Sequence, residues 1–273
     1  MQKQNMKKTI YYLFLLMCIV LLLFSIIKII MWHKDNYINN KLQDESQKNV
    51  TERKSISEKT ENINPPKDKN DDYWDYIKME ILDVDFKELM KKNPDTVGFI
   101  KVNGTNINYP VVQTTNNDYY LYHAYDKSKN NAGWVFADYR NDMVSFDKNT
   151  IIYGHGRLNN TMFGSLKGVL SSDWYNNKNN YIIKFSTPTE NTLWQVFSVY
   201  SITAENYYIT TEFSNNKTYG KFINTIKSRS QKNFNTTVDT NDKIITLSTC
   251  KDIAGKERVV MHAKLIKIEY LSN

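Results

Sequence analysis

The chain has little of what small exported modules use for staples and turns: two Cys, nine Gly and five Pro in 273 residues. Two Cys cannot build a disulfide framework or a four-Cys zinc module. So few Gly and Pro exclude a collagen-like repeat. There is no internal repeat, and no dense Lys/Arg cluster with interleaved aromatics. Only one long apolar run occurs, and mean hydropathy is −0.57. The remainder is therefore polar, which excludes a multi-pass membrane protein. With 41% hydrophobic and 24% charged residues, full-length disorder is excluded too. The net charge of +7 is spread along the chain. It reads as a soluble basic surface, suited to work near an anionic membrane or wall, and no nucleic-acid partner is expected. What is abundant is Tyr, 19 in all, which supplies large side chains for a β-rich core.

Four regions follow from the pattern. Residues 1–9 hold Lys3, Lys7 and Lys8 and no acid. Residues 10–32 are apolar apart from Lys28 near the far end, long enough to cross a bilayer as a helix. The charge asymmetry places residues 1–9 in the cytoplasm and the remainder outside the cell membrane, as a single-pass anchor. A cleaved signal peptide has a shorter apolar core, and no small-x-small site follows Ile30, so an uncleaved anchor is favoured. Residues 33–71 are polar, mixed in charge, and carry Pro65-Pro66 near their end; they are expected to be a solvated extracellular tether. Residues 72–273 are expected to be the folded domain.

Within that domain, Tyr73 to Met90 fits one or two amphipathic helices, ended by Asn93-Pro94. Val97–Val102 reads as a strand, Asn103-Gly104 as a two-residue turn, and Asn106–Val112 as the partner strand. Further strands are expected at Gly133–Asp138, Thr150–Gly154, Tyr181–Ser186, Leu193–Ile202, Lys243–Thr249 and Arg258–Tyr270. Short helices are expected at Asn117–Tyr122, Thr161–Leu170 and Thr218–Ser230. Many strands at short spacing point to a mainly β fold with some helix, a closed or nearly closed barrel.

Chemistry centres on Cys250, which ends the run Ile244-Ile245-Thr246-Leu247-Ser248-Thr249-Cys250. A Cys in a buried strand is commonly a core filler. Here the other Cys, Cys18, lies in the apolar run, so an exported lone thiol calls for a functional explanation. Lys251-Asp252 stop the strand at once and place Cys250 at the barrel mouth. A Cys nucleophile needs a base or a positive neighbour. His155 lies in Tyr153-Gly154-His155-Gly156, where glycines let the backbone turn. His123 is expected to pack or face solvent, and His262 to be structural or exposed. Acyl chemistry also needs a donor for an oxyanion. Arg258, eight residues after Cys250, can reach the same barrel end, and Arg140 is its rival.

The Thr246-Leu247-Ser248-Thr249-Cys250 run, an Arg shortly after it and an upstream strand ending in Gly-His-Gly resemble the sortases, membrane-anchored cysteine transpeptidases of Gram-positive bacteria. Asn108-Tyr109-Pro110-Val111-Val112 and Ala137-Asp138-Tyr139-Arg140-Asn141 are similar to class B. The resemblance spans about residues 72–270. It implies a closed barrel of about eight strands, with helices before it and a helix between two late strands. It implies that Cys250 attacks a Thr carbonyl in a C-terminal sorting signal, of Asn-Pro-x-Thr type with Leu-Pro-x-Thr-Gly as the alternative, to form a thioester that a cell-wall amine resolves. His155 would act as acid and base. Arg258 would steady the oxyanion or hold the signal backbone, aided by the amide of Cys250 or Thr249. The signal would meet Asn117 and Leu121 on one wall, Tyr208 and Ile209 on the other, and Ser248 and Thr249 beside the nucleophile, with plain core packing the other reading of Leu121, Tyr208 and Ile209. Lys251 stands where acids are frequent in this class. No acidic cluster resembles the calcium site of class A relatives, so no metal and no cofactor are expected. The expected partners are signal-bearing surface proteins, a peptidoglycan precursor amine and the membrane.

Two other functions fit the same residues. One is a cysteine hydrolase using the same dyad with water as acceptor. The other is a non-catalytic anchored binding module. A pilus-polymerising relative usually carries a lid and a second span, and no C-terminal span is seen.

Overall fold

The computed structural model describes residues 2–203, 205–250 and 257–271, with residues 2–4, Ser57 and Cys250 described by backbone alone. Helix α1 (Gln2–Gln47) is followed by strands β1 (Val50–Arg53) and β2 (Thr60–Asn62) and the one-turn helix α2 (Tyr73–Tyr76). Then come β3 (Ile81–Val84), α3 (Phe86–Lys92), β4 (Thr96–Val102), β5 (Asn108–Val112), β6 (Phe136–Ala137) and β7 (Asn149–His155). The order continues with α4 (Ser172–Tyr175), β8 (Ile182–Ser186), β9 (Glu190–Thr203), α5 (Asn216–Ser228), β10 (Ile244–Cys250) and β11 (Glu257–Tyr270).

The main sheet runs β10-β7-β6-β5-β4-β8-β9-β11-β2, and β10 also pairs with β11. That pairing closes eight strands into a ring and leaves β2 as an appendage on β11, so the expected mainly β closed barrel is present. Two joints are parallel, β5 with β6 and β7 with β10. The 14-residue β9 and β11 bend around the wall through register shifts at His262/Ala263 and Leu265/Lys267. The interior is filled by aromatic and branched side chains such as Trp134, Trp194, Tyr109, Phe185, Ile151 and Leu247.

α5 lies outside the wall. Its Asn215 cap and Thr218 form a reciprocal capping box, and Tyr219, Phe222, Ile223 and Ile226 make one buried stripe at helical spacing. That stripe covers Phe197, Tyr200, Ile244 and Val260 on the outer barrel face. This is the helix expected between two late strands.

Local differences have physical reasons. Ile81–Val84, expected within a helix, is a strand because it pairs antiparallel with β1. The hairpin after β4 is longer than two residues: Val102 N bonds Ile107 O at 3.0 Å, and Thr105 N bonds Val102 O at 3.2 Å. Gly104 supplies φ +70° within that loop. Gly133–Asp138 keeps only the two-residue β6, and Asn117–Tyr122 only a 3-10 turn, Tyr119–Leu121.

The segment 33–71 is not a free tether. α1 continues through Gln47 and buries Asp35, Asn36, Asn39, Leu42 and Ser46, which share one helical face. Beyond it, Arg53 bonds Glu269 at 2.5 Å, and Glu269 also accepts from Ile56 N at 2.6 Å. Glu52 pairs with Lys101 and Lys184.

Candidate active site

The end of β10 is flanked on both sides by strands that end at the same rim. β7 is its parallel neighbour, and the register pairs Cys250 with His155, the last residues of the two strands. On the other side, antiparallel β11 pairs Val260 with Ser248. Continuing that register by two residues sets Arg258 opposite Cys250. Residues in one row across a pleated sheet lie on one face. The three residues expected to act together thus occupy one row, although α4, β8, β9 and α5 lie between the His155 and Cys250 strands in the chain.

His155 is half-buried, and its Nε2 lies 2.9 Å from the carbonyl oxygen of Leu121. A carbonyl only accepts, so Nε2 carries the proton of this bond. Behind the ring passes Gly133, with φ +59°; a Cβ there would stand 2.9 Å from His155 Cδ2 and 2.5 Å from Tyr120 O. Only glycine allows that approach.

Arg258 is partly exposed and donates from Nη1 to the Tyr208 hydroxyl at 3.1 Å. The same hydroxyl lies 3.1 Å from Ser248 Oγ. One phenol can accept the first bond and donate the second. Tyr208 and Ser248 are 0% and 1% exposed. Both are expected to touch the signal; their side chains bond each other, and the Tyr208 hydroxyl also holds the guanidinium. Thr249 is also buried, its Oγ1 accepting from Val259 N at 2.9 Å, which tacks β11 to β10.

Arg140, the rival of Arg258, is committed elsewhere. Its Nε and Nη2 fork onto Asp138 at 2.8 and 2.7 Å, and Nη2 also donates to Ile209 O at 3.0 Å. Tyr153 donates to the same carboxylate at 2.9 Å. Burial pushes the Asp138 carboxyl up, but the bonds from Arg140 and Tyr153 outweigh it and hold it below the usual carboxylate range. The fork therefore ties the 3-10 turn Tyr207–Ile209 to the loop before β7. Asn117 adds a second tie, its Oδ1 accepting from Tyr139 N at 3.0 Å. Asn117, Leu121 and Ile209 remain partly exposed.

The other imidazoles lie apart. His123 stacks on Tyr119 at 4.0 Å and bonds its carbonyl. His262 is buried under α5, with Nε2 2.9 Å from the Tyr200 hydroxyl and Nδ1 2.8 Å from Thr246 Oγ1. Burial lowers its pKa to about 3, so it stays neutral. Among the described residues no group of His, Cys, Asp and Glu could hold a metal. Lys251 lies outside the described residues.

Three supports of the site escaped the sequence reading: the Leu121 carbonyl, the Gly133 passage and the Tyr208–Arg258 bond. A backbone acceptor leaves no trace in residue type. Gly133 could have been noticed as one of only nine glycines.

The sortase-domain family matches residues 100–266. Sortase B of Staphylococcus aureus is 38% identical over 185 residues, 67% of this chain and 75% of that protein. A Bacillus anthracis crystal structure, described as similar to sortase B, superposes with a TM-score of 0.67 at 34% identity, over 86% of this chain and 97% of that one. A Staphylococcus aureus sortase B–substrate complex gives a TM-score of 0.62 at 39% identity, over 67% and 84% of the two chains. The family match takes in the barrel from β4 into β11, with the His155 and Cys250 strand ends inside it, and the chain belongs to the sortase family of cysteine transpeptidases, in its class B.

Proposed function

We propose that this transpeptidase cuts an Asn-Pro-x-Thr-type sorting signal after its Thr and joins the Thr to an amine of the cell wall. The observation that carries this reading is the register of β7, β10 and β11, with His155, Cys250 and Arg258 in one row. The Cys250 thiolate attacks the Thr carbonyl carbon. A C–S bond forms and the oxygen becomes an oxyanion, which Arg258 and the amide of Cys250 or Thr249 stabilise. Collapse breaks the C–N bond, and His155 gives its proton to the departing amine. The threonyl thioester is then attacked by the incoming amine. His155 takes that amine's proton, the C–S bond breaks, and the thiolate returns. With Nε2–H held by Leu121 O, the proton exchanged is the one on Nδ1.

Asn117, Leu121 and Ile209 form the walls that meet the signal, and Thr249 flanks the nucleophile. Tyr208 and Ser248 serve the signal from behind, by setting Arg258. The apolar part of α1 anchors the chain in the cell membrane, with residues 1–9 in the cytoplasm; this helix is long and apolar enough to cross. That a Staphylococcus aureus relative is solved as a substrate complex supports a substrate-binding site in this fold.

The test uses the full chain in detergent, as wild type and Cys250→Ala. Each is incubated with Asn-Pro-x-Thr and Leu-Pro-x-Thr-Gly peptides, with and without triglycine or a diamino acid. Cleavage after Thr in the first peptide, a ligated product with one amine, and no turnover by Cys250→Ala are expected. Free acid as the only product with every amine means a hydrolase. Turnover by Cys250→Ala sinks the mechanism.

A further inference from the structure

The end of the apolar run and the first barrel contacts of α1 fall within one helical turn. Trp32 closes the run, and the Arg157 guanidinium lies 5.9 Å from its ring centroid. Arg157 Nη2 also donates to Asn36 Oδ1 at 2.5 Å. Asp35 Oδ2 accepts from Asn131 Nδ2 at 3.0 Å, and the Asp35 carbonyl from Asn130 Nδ2 at 3.1 Å. Asn39 Nδ2 donates to Gly133 O at 3.0 Å, the glycine that passes behind His155. The helix is unbroken from Gln2 to Gln47 and holds no Pro or Gly.

These contacts leave no room for a leash. At a rise of about 1.5 Å per residue, Asn36 stands only about 6 Å beyond Trp32 along the axis. The headgroup layer on each side of a bilayer core is about 5–8 Å deep. Arg157 lies two residues past His155, at most about 7 Å of chain. The loop after it displays Leu158, at 80% the most exposed large hydrophobic side chain among the described residues. Lys34 and Lys129 are exposed beside the same junction. Burial lowers the Arg157 pKa and Asp35 offsets this in part, so a phosphate nearby would further stabilise the cation.

We propose that the His155 rim of the barrel rests on the bilayer surface, with Leu158 in the interfacial layer and Lys34, Lys129 and Arg157 on anionic headgroups. α1 is then a rigid strut that fixes the height and tilt of the site. The proposal rests on the reading of residues 10–32 as a membrane span.

The test places the full chain in vesicles of equal phosphatidylglycerol and phosphatidylcholine, in a Cys18→Ser, Cys250→Ala background. Spin labels are attached singly through Leu158→Cys, Leu22→Cys and Lys217→Cys. Lys217 opens α5, whose Tyr219 bonds Lys148 O at the start of β7, the end opposite His155. The readout is accessibility to oxygen relative to a water-soluble nickel chelate. The expected ratio at position 158 is several-fold that at 217, and a Gly-Ser-Gly-Ser insertion after Trp32 abolishes the difference. Equal ratios at 158 and 217, with position 22 reading as hydrocarbon interior, overturn the strut and leave the anchor standing. An aqueous reading at position 22 overturns both.

Discussion

The Tyr208 hydroxyl is the residue-scale hinge of the account. It is fully buried, yet it stands between Arg258, proposed to meet the oxyanion, and Ser248, two residues before the nucleophile. Tyr208→Phe removes the hydroxyl and keeps the ring that packs beneath α5. A hydrogen bond to a charged group is worth about 1.5–3 kcal/mol. If Arg258 acts in the transition state, kcat/KM falls roughly tenfold or more, and the melting temperature drops by only a few degrees as Ser248 loses the hydroxyl as a buried partner. An unchanged kcat/KM would mean that the Arg258 orientation does not matter to the reaction. The row itself was legible: a lone thiol at a strand end, a His between glycines and an Arg after the thiol carry chemical signatures, and the register of β7, β10 and β11 sets the three side by side. The burial of Tyr208 and Ser248, and the bonds that link them to Arg258, were not legible, because residue type cannot tell a wall from the brace behind it.

At the scale of elements, the segment before residue 72 belongs to the fold. Sequence patterning missed this because α1 docks through Asp35, Asn36 and Asn39, and a hydrogen-bonded face has no apolar stripe. β1 and β2 are short and polar, and only their pairing with β3 and β11 makes them strands. Burial alone would push the Glu269 carboxyl up, but Arg53, the Ile56 N–H and Asn191 hold it below the usual range. Removing residues 33–71 strands that carboxylate, whose side chain is 2% exposed. Losing one partner of a buried pair costs about 3–5 kcal/mol. A soluble chain of residues 72–273 is therefore expected to unfold at a markedly lower denaturant midpoint than residues 33–273. Equal midpoints would return the segment to the role of a tether. By contrast the strands β9, β10 and β11 and the helix α5 were legible from pattern alone, because the strands are long apolar-rich runs and α5 repeats its apolar residues at helical spacing.

At the scale of the whole molecule, a closed barrel carries an outer layer under α5, and His262 sits neutral between them. Its folded pKa of about 3 lies below its ordinary 6.5. Between these values the unfolded chain binds a proton that the folded chain refuses, so this contribution to stability is full above pH 6.5 and is lost as pH falls. Burial raises the Glu190 carboxyl to about 7, which acts in the opposite sense as pH rises through 4.5 to 7. The effect of His262 is therefore read as a difference: wild type minus His262→Gln loses up to about 1.4 kcal/mol per pH unit on acidification below 6.5. Parallel pH profiles for the two proteins would refute it. The same closure of the barrel is what sets β7, β10 and β11 side by side, and the central claim is that this row makes Cys250 an acyl carrier served by His155. The most direct measurement mixes the full chain with an Asn-Pro-x-Thr peptide without added amine, quenches in acid, and maps the acyl mass by proteolysis. The account predicts a thioester ending in Thr on Cys250, present in the wild type and absent in His155→Gln. Cleavage after Thr with the acyl group on another residue, or undiminished acylation in His155→Gln, would contradict it.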